Sequence, residues 1–355
     1  MAMVTNFFLG ANSGGGVCQL FDQLTEDRTA HDLIILKGCP GNGKSTFIRK
    51  IGEVMQESGL DVEYIRCSGD PASLDGVLMP QLRCGVVDGT APHVLEPLYP
   101  LAIQRYVDLS RFCDVTAAKA AVGEIMRRNA EAAAADGRAG HVLMAAAQMM
   151  KGVRAEAAAS LDRTKLARRF AGIAARELRR RGEGGVIRKR FLGGPVADGF
   201  HWCFDSVETL CVRIYELEDT YGLAAEELER LSNAAVEKGW DVIVCLSPLE
   251  PECPEHLLIP GLGFGVVTSR PGMLYPRTTY RRVRVDAMIS AEGRGKRKLE
   301  SKLVSQLQKE AVAALAEARE ARMRLEEIYR PYVDFDGVET LAAVEASRLL
   351  SWMQS

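Results

Sequence analysis

The sequence predicts an α/β fold written twice: two tandem parallel-sheet domains, each followed by long helical extensions. Three observations predict it. A segment near residue 60 recurs about 180 residues later, a glycine-rich loop separates a buried-strand pattern from an amphipathic helix, and both copies run on into stretches with apolar residues at spacings of three and four.

The repeat comes first. Displaced by 180 residues, Glu57 to Asp88 falls on Glu237 to Thr268 without a gap, and 11 of 32 positions are identical, among them Gly59/Gly239, Asp61/Asp241, Pro80/Pro260 and Val86/Val266. Average composition would give roughly one match in fifteen. Upstream the displacement becomes 183, where Phe8-Leu9-Gly10 meets Phe191-Leu192-Gly193 and Phe21-Asp22 meets Phe204-Asp205. A chain of 355 residues exceeds what one core usually covers. The expected division is a first core over 1–114, an Ala/Arg-rich helical arm over 115–186, a second core over 187–290 and C-terminal helices over 291–355.

Within each copy the elements follow in order. A short Phe-Leu-Gly strand opens it. Leu33 to Leu36 is an apolar run that suits a strand buried on both faces. From Lys44 to Ser58, Phe47, Ile48, Ile51, Val54 and Met55 keep helical spacing, and Gly59 is a natural stop. Val62 to Cys67, Gly85 to Val87 and Arg105 to Leu109 read as further strands. Strand, helix, strand implies a parallel sheet with right-handed crossovers. Residues 115–181 read as Ala-rich helices with a turn at Asp136-Gly137-Arg138-Ala139-Gly140. Residues 296–330 carry a helical apolar stripe that Pro331 ends, and Asp336 with Glu339 gives a D-x-x-E start for a last helix over about 337–352. Core or coiled-coil packing explains these stripes.

The loop is Gly38-Cys39-Pro40-Gly41-Asn42-Gly43-Lys44-Ser45, followed by Thr46. Its spacing is that of a phosphate-binding loop, and a strand before it with a helix after it is the context that confirms such a match. Glycines let the chain wrap with N–H groups pointing inward, and the helix N-terminus adds unpaired N–H groups and a positive dipole end. Lys44 would reach the β- and γ-phosphates, and the Ser45 hydroxyl would ligate magnesium. The second metal ligand should be an acid at the end of an apolar strand. Asp88 fits after Cys84-Gly85-Val86-Val87, with Asp70 and Asp75 as rivals; Asp88 before Gly89 is also a common turn pair. The expected cofactors are therefore ATP and Mg, with Lys44 and Asp88 as the catalytic pair. No Glu follows Asp88, so a water-activating carboxylate at that position is missing.

The second copy tests these roles. At the 180 displacement Gly38 becomes Glu218, Lys44 becomes Ala224, Ser45 becomes Ala225 and Asp88 becomes Thr268. Cation, hydroxyl and carboxylate are lost together, and the acidic pair Glu218 and Asp219 stands where phosphate would sit. The flanking helix signals, Leu228, Leu231 and Ala235, persist. The second half reads as a pseudo-NTPase: fold kept, chemistry gone.

Other features are weaker. Cys39 lies near a helix N-terminus, which would lower a thiol pKa; a redox switch and a tolerated variable position are both open readings. His93 could contact substrate or be structural. Arg163 to Arg190 holds eleven basic residues against Glu177 and Glu183, a surface for nucleic acid, for an acidic partner or merely for solvent. Arg270, Arg277, Arg281 and Arg282 are candidates for an arginine reaching the triphosphate from the second half. Net charge is -2, so the whole chain is no polyanion binder. Nine scattered cysteines without a CxxC argue against a disulfide framework or zinc site and for a reducing cytoplasm. No stretch approaches the roughly 18 apolar residues of a membrane helix, and the N-terminus does not read as a signal peptide.

The whole chain resembles an uncharacterised bacterial family of tandem P-loop ATPases, within the P-loop NTPase superfamily. The resemblance rests on the Phe-Leu-Gly near the start, ILKGCPGNGKSTFIRKIGE, the Leu74-Asp75-Gly76 spacing to Pro80 and Leu82, VVDGTAPHVLEP from Val86, and the terminal LEEIYRPYVDFDGVETL. It implies a pair of P-loop domains with helical extensions, the loop at Gly38 to Ser45 and Asp88 in the DGTAPH segment. Family members keep a phosphate loop in both halves; this sequence keeps one. The leading expectation is an ATPase with one working site, using nucleotide state as a switch between halves. A P-loop small-molecule kinase and a nucleotide-gated scaffold or nucleic-acid-binding protein remain the alternatives.

Overall fold

The computed structural model describes residues 2–182, 184–292 and 294–353; Glu183 of the basic run, Met1, Gly293 and the last two residues of the chain lie outside them. The first half contains β1 (Val4–Phe7), β2 (Gly10–Ser13), β3 (Gly16–Gln19), α1 (Asp22–Thr25), β4 (Asp32–Lys37), α2 (Lys44–Glu57), β5 (Val62–Arg66), β6 (Leu74–Met79), β7 (Cys84–Asp88) and β8 (Gln104–Asp108). Helices α3 (Val115–Ala120), α4 (Val122–Ala159) and α5 (Arg163–Glu177) follow. The second half contains β9 (Ile187–Arg190), β10 (Gly193–Val196), β11 (Gly199–Trp202), α6 (Phe204–Leu210), β12 (Arg213–Glu218), α7 (Ala225–Glu237), β13 (Val242–Leu246), β14 (Pro254–Ile259), β15 (Phe264–Ser269) and β16 (Arg281–Arg284), then α8 (Arg294–Tyr329) and α9 (Phe335–Leu350).

Among the described residues each half builds a six-stranded sheet, ordered β1-β5-β6-β7-β4-β8 and, matched strand for strand, β9-β13-β14-β15-β12-β16. Even the irregularity between Ile65 and Arg66 in β5 returns between Cys245 and Leu246 in β13. The sheets are mixed, not parallel as expected. β6 runs antiparallel to both β5 and β7, and β14 repeats this. The reason is connection length: Pro80–Arg83 is a tight turn between β6 and β7, far too short for a crossover helix. The Asp75-Gly76 pair inside β6 hid that strand from a propensity reading. The Phe-Leu-Gly segments are also not strands of their own: only their glycines, Gly10 and Gly193, belong to strands, as the first residues of β2 and β10. Phe8 and Phe191 sit between β1 and β2 and between β9 and β10.

The two halves meet about a local two-fold axis. Phe8 N donates to Phe191 O at 2.9 Å and Phe191 N returns to Phe8 O at 2.8 Å. Asn6 is bracketed by the Ser206 hydroxyl, and its counterpart Lys189 is bracketed the same way by Gln23. Arg190 and Glu63 form a buried ion pair beside the axis, Nε to Oε1 2.5 Å.

The long helices α4 and α8 then cross between halves. They run antiparallel, with Asp136 beside Arg322 and Glu156 beside Lys296. Ala132, Ala135, Ala139, Leu143 and Ala146 of α4, and Ala311, Leu315 and Ala318 of α8, are buried along them, small residues that permit close approach. The expected turn at 136–140 is continuous helix. Each glycine there costs roughly 1 kcal/mol of helix propensity, and burying the stripe that runs past them outweighs this.

Each long helix delivers a short one to the other half. Asp114 N bonds Tyr332 O and Asp334 N bonds Phe112 O, both at 2.8 Å; the mirrored contact joins Asp162 N to Met288 O at 2.9 Å. Helix α9 places Val338, Ala342, Ala346 and Leu349 in the core beneath β4 and α2, while α5 places Leu166, Phe170 and Ile173 in the core with α7. The start of α9 is Asp334, whose carboxylate accepts Gly337 N at 3.0 Å, and not Asp336 as the D-x-x-E pattern suggested. Among the described residues no helix is long and apolar enough to cross a membrane.

Candidate functional site

The loop from Gly38 to Gly43 leaves the C-terminal end of β4 and enters α2 at Lys44. Its bend needs glycine at two places: Gly41 has φ +71° and Gly43 φ +90°, both left-handed. Gly38 is required for another reason, since a Cβ there would collide with the Asn42 side chain. Asn42 is fully buried, and with its amide turned so that the nitrogen faces Cys39 O it donates there at 2.8 Å and accepts from Cys39 N at 3.3 Å. The loop is thus held curved from within. Pro40 lies on it, and Thr46 is solvent-exposed in the first turn of α2.

Lys44 Nζ donates to Cys39 O at 2.9 Å and stands 3.8 Å from Asp88 Oδ2, with both side chains mostly shielded from water. β7 lies beside β4 in parallel, so its terminal Asp88 comes level with the loop. The other carboxylate oxygen, Oδ1, accepts Thr90 N at 2.8 Å and Thr90 Oγ1 at 2.6 Å. Asp88 therefore starts the turn that the Asp-Gly pair suggested, with one oxygen, and stands near Lys44 with the other. The rivals are engaged elsewhere. Asp75 is buried against His93 Nε2 at 3.2 Å, and Asp70 pairs with Arg319 at 2.9 Å. His93 in turn packs on Phe21, ring centroids 4.8 Å apart, which places it in the wall. The Ser45 hydroxyl accepts Leu74 N at 2.9 Å.

Cys39 departs from expectation. Its sulfur lies 3.4 Å from that of Cys113, and burial together with that neighbour pushes its thiol up to about 12. Desolvation outweighs the helix end and Lys44, so the expected lowering is reversed.

What covers the loop has no signature in the local residues. α8 passes over it: a Cβ on Gly41 would lie 3.0 Å from Glu326 Cβ and from its carbonyl oxygen. Arg322 reaches the neighbouring Gly69 turn, 3.1 Å from where its Cβ would be. The four arginines considered for this role sit among second-half partners instead: Arg270 with Glu255, Arg277 with Glu208, Arg282 with Glu216, and Arg281 over Tyr280. The basic run is likewise partly consumed, with Arg190 in its buried pair and Arg181 over Trp240. Lys165, Arg168 and Arg169 are exposed on α5.

In the second half the matching loop carries its own anion. Asp219 is buried, and its carboxylate accepts Leu223 N at 2.9 Å and Ala224 N at 2.8 Å at the start of α7. Those are the N–H groups a phosphate would need. Burial pushes this carboxyl above its ordinary range, and the two N–H bonds oppose that. Thr220 is tied to Asp286, and Arg154 of α4 grips Tyr221 O at 2.8 Å and Glu250 at 2.6 Å. Thr268, in the Asp88 position, is buried and bonded to Glu255 O at 2.6 Å.

No protein-family model, curated protein or solved structure matches this chain. The functional reading therefore rests on these contacts. The first-half loop brings a cation, a hydroxyl and a helix N-terminus beside the Asp88 carboxylate at the end of β7, whereas in the second half Ala224, Ala225 and Thr268 stand at the positions of Lys44, Ser45 and Asp88.

Proposed function

We propose that this protein is a Mg-ATP-binding P-loop ATPase with one competent nucleotide site, at Gly38–Thr46, and a pseudo-NTPase second half. The observation that carries this reading is Lys44 Nζ 3.8 Å from Asp88 Oδ2 at the start of α2. In the proposed complex the loop N–H groups and Lys44 hold the β- and γ-phosphates. Ser45 Oγ and Asp88 Oδ2 are hard oxygen donors of the kind magnesium takes, and they are the residues that would hold it. Magnesium would there neutralise charge building up on the phosphates. Lys44 would leave Cys39 O for phosphate, an exchange of one acceptor for a charged one. The exchanged helices give a physical path by which nucleotide state in the first half reaches the second, because α8 touches the loop and begins in the other half.

The test is nucleotide binding and phosphate release for the native chain beside Lys44→Ala and Asp88→Ala. The reading expects Lys44→Ala to abolish Mg-ATP binding and Asp88→Ala to weaken the magnesium dependence. Unchanged dependence would move the metal ligand to Asp70 or Asp75. Turnover that needs an added metabolite and yields its phosphorylated form would make the protein a small-molecule kinase instead.

A further inference from the structure

Helix α8 presents Arg319, Arg322 and Glu326 at spacings of three and four, one face of a helix, which meets the loops at Asp70, Gly69 and Gly41; Arg330 follows four residues on, in the turn after the helix. Glu326 is the acid of the stripe. Its backbone packs directly on Gly41. Its side chain is solvent-exposed as a whole; desolvation where α8 meets the loop raises its carboxyl above the ordinary range, and Lys44, Asp70, Arg330 and Arg322 are the charges around it.

The second half supplies the comparison. Eight residues before the Asp334 cap stands Glu326, and eight residues before the Asp162 cap stands Arg154. Both lie on the equivalent loop position, Gly41 and Tyr221. Arg154 is used up: it bonds Tyr221 O, Cys253 Sγ and Glu250. It serves as a clamp on a loop that holds its own carboxylate. Glu326, by contrast, takes no hydrogen bond and no ion pair among the described residues. Glu326 thus has its backbone and Cβ on the loop at Gly41, Lys44 among the charges around its carboxyl, and that carboxyl unengaged, in the half that lacks an acid after Asp88.

We propose that Glu326, carried from the second half on α8, is the carboxylate that orients and deprotonates the attacking water. This rests on the ATPase reading above. The water oxygen forms a bond to the γ-phosphorus as the bond to the β–γ bridging oxygen breaks. The water proton passes to the Glu326 carboxylate, and ADP and inorganic phosphate leave. Arg322, which also pairs with Asp136 at 2.7 Å, and Arg330 are the cations flanking Glu326. The active site is then complete only when α8 is docked on the loop, so the second half acts as carrier of a catalytic group.

The experiment compares the native chain, Glu326→Gln and Glu326→Asp for Mg-ATP affinity and for phosphate release. The Gln variant keeps shape and loses the base. It should bind Mg-ATP within about threefold of native while its kcat falls at least about 100-fold, the usual contribution of a general base. The Asp variant keeps the charge but withdraws it by one methylene, and should retain part of the rate. A Gln variant with native kcat, or a native chain that binds Mg-ATP without any turnover, overturns the proposal while leaving the nucleotide site standing. A native chain that does not bind Mg-ATP fails the underlying reading instead, so the two failures are separable.

Discussion

Phe8 and Phe191 hold equivalent positions in the two halves, and in the folded chain they pair with each other through two reciprocal backbone hydrogen bonds. Equivalent residues can meet themselves only on a two-fold axis. The duplication is thus an internal dimer, joined at this point and by the crossed helices. Both rings are almost completely buried. Phe8→Ala or Phe191→Ala should each cost about 3–5 kcal/mol. Urea unfolding followed by circular dichroism and by tryptophan fluorescence should show one shared, lowered transition. Two separated transitions would mean that the halves are independent.

Helix α9 closes the first core from the far end of the chain. Leu349 is fully buried there. Leu349→Ala should cost about 2–5 kcal/mol. A chain ending at Arg330 should fail to bind Mg-ATP, although every residue from Gly38 to Thr46 is present. Binding by the truncated chain would show that the first half needs no exchanged helix.

Much of this was legible from the residues, and the rest fails for identifiable reasons. The strand–loop–helix unit around Lys44 was readable because glycine, lysine and an amphipathic period all constrain one short segment. The duplication was readable because Glu57–Asp88 kept its length. β6 was missed because its strand pattern is broken by Asp75 and Gly76, and its direction depends on a partner. The destination of α9 was invisible because an apolar stripe says that a helix packs, never against what. Glu326 could not be found at all: its neighbour Gly41 is 285 residues away in sequence and no local pattern marks it. The one available clue was the absence of an acid after Asp88.

Asp219 satisfies two N–H groups that would otherwise be buried without partners. Asp219→Ala should destabilise the chain by about 1–3 kcal/mol. It should also leave the second half unable to bind nucleotide, since Ala224 supplies no cation. Denaturant midpoints give the first quantity and binding stoichiometry the second.

Several carboxyls respond to pH in a defined direction. Burial holds Asp32, Asp219 and Glu250 above the ordinary carboxylate range. A raised folded value means that the native state binds protons the unfolded chain releases, so stability falls as pH climbs from about 4 through those raised values. Glu252, lowered chiefly by a backbone N–H, and Glu339, lowered by Lys50, act oppositely, and their contribution is lost below about 4. Urea midpoints should therefore rise modestly from pH 7.5 to 5 and drop below 4. A midpoint that falls steadily from 7.5 to 5 would contradict this.

Cys39 should alkylate slowly at neutral pH, because burial beside Cys113 pushes its thiol up to about 12 and the thiolate is the reactive form. Iodoacetamide labelling read by peptide mass spectrometry checks it. Labelling at the rate of an unhindered thiol would show the sulfur to be open and ionised.

The most direct test of the whole account is calorimetric titration of the native chain with Mg-ATP, beside Lys44→Ala. The account predicts one nucleotide per chain for the native protein, and an affinity loss of at least about 100-fold for Lys44→Ala, equivalent to about 3 kcal/mol. Two sites per chain, or equal binding by Lys44→Ala, would contradict it.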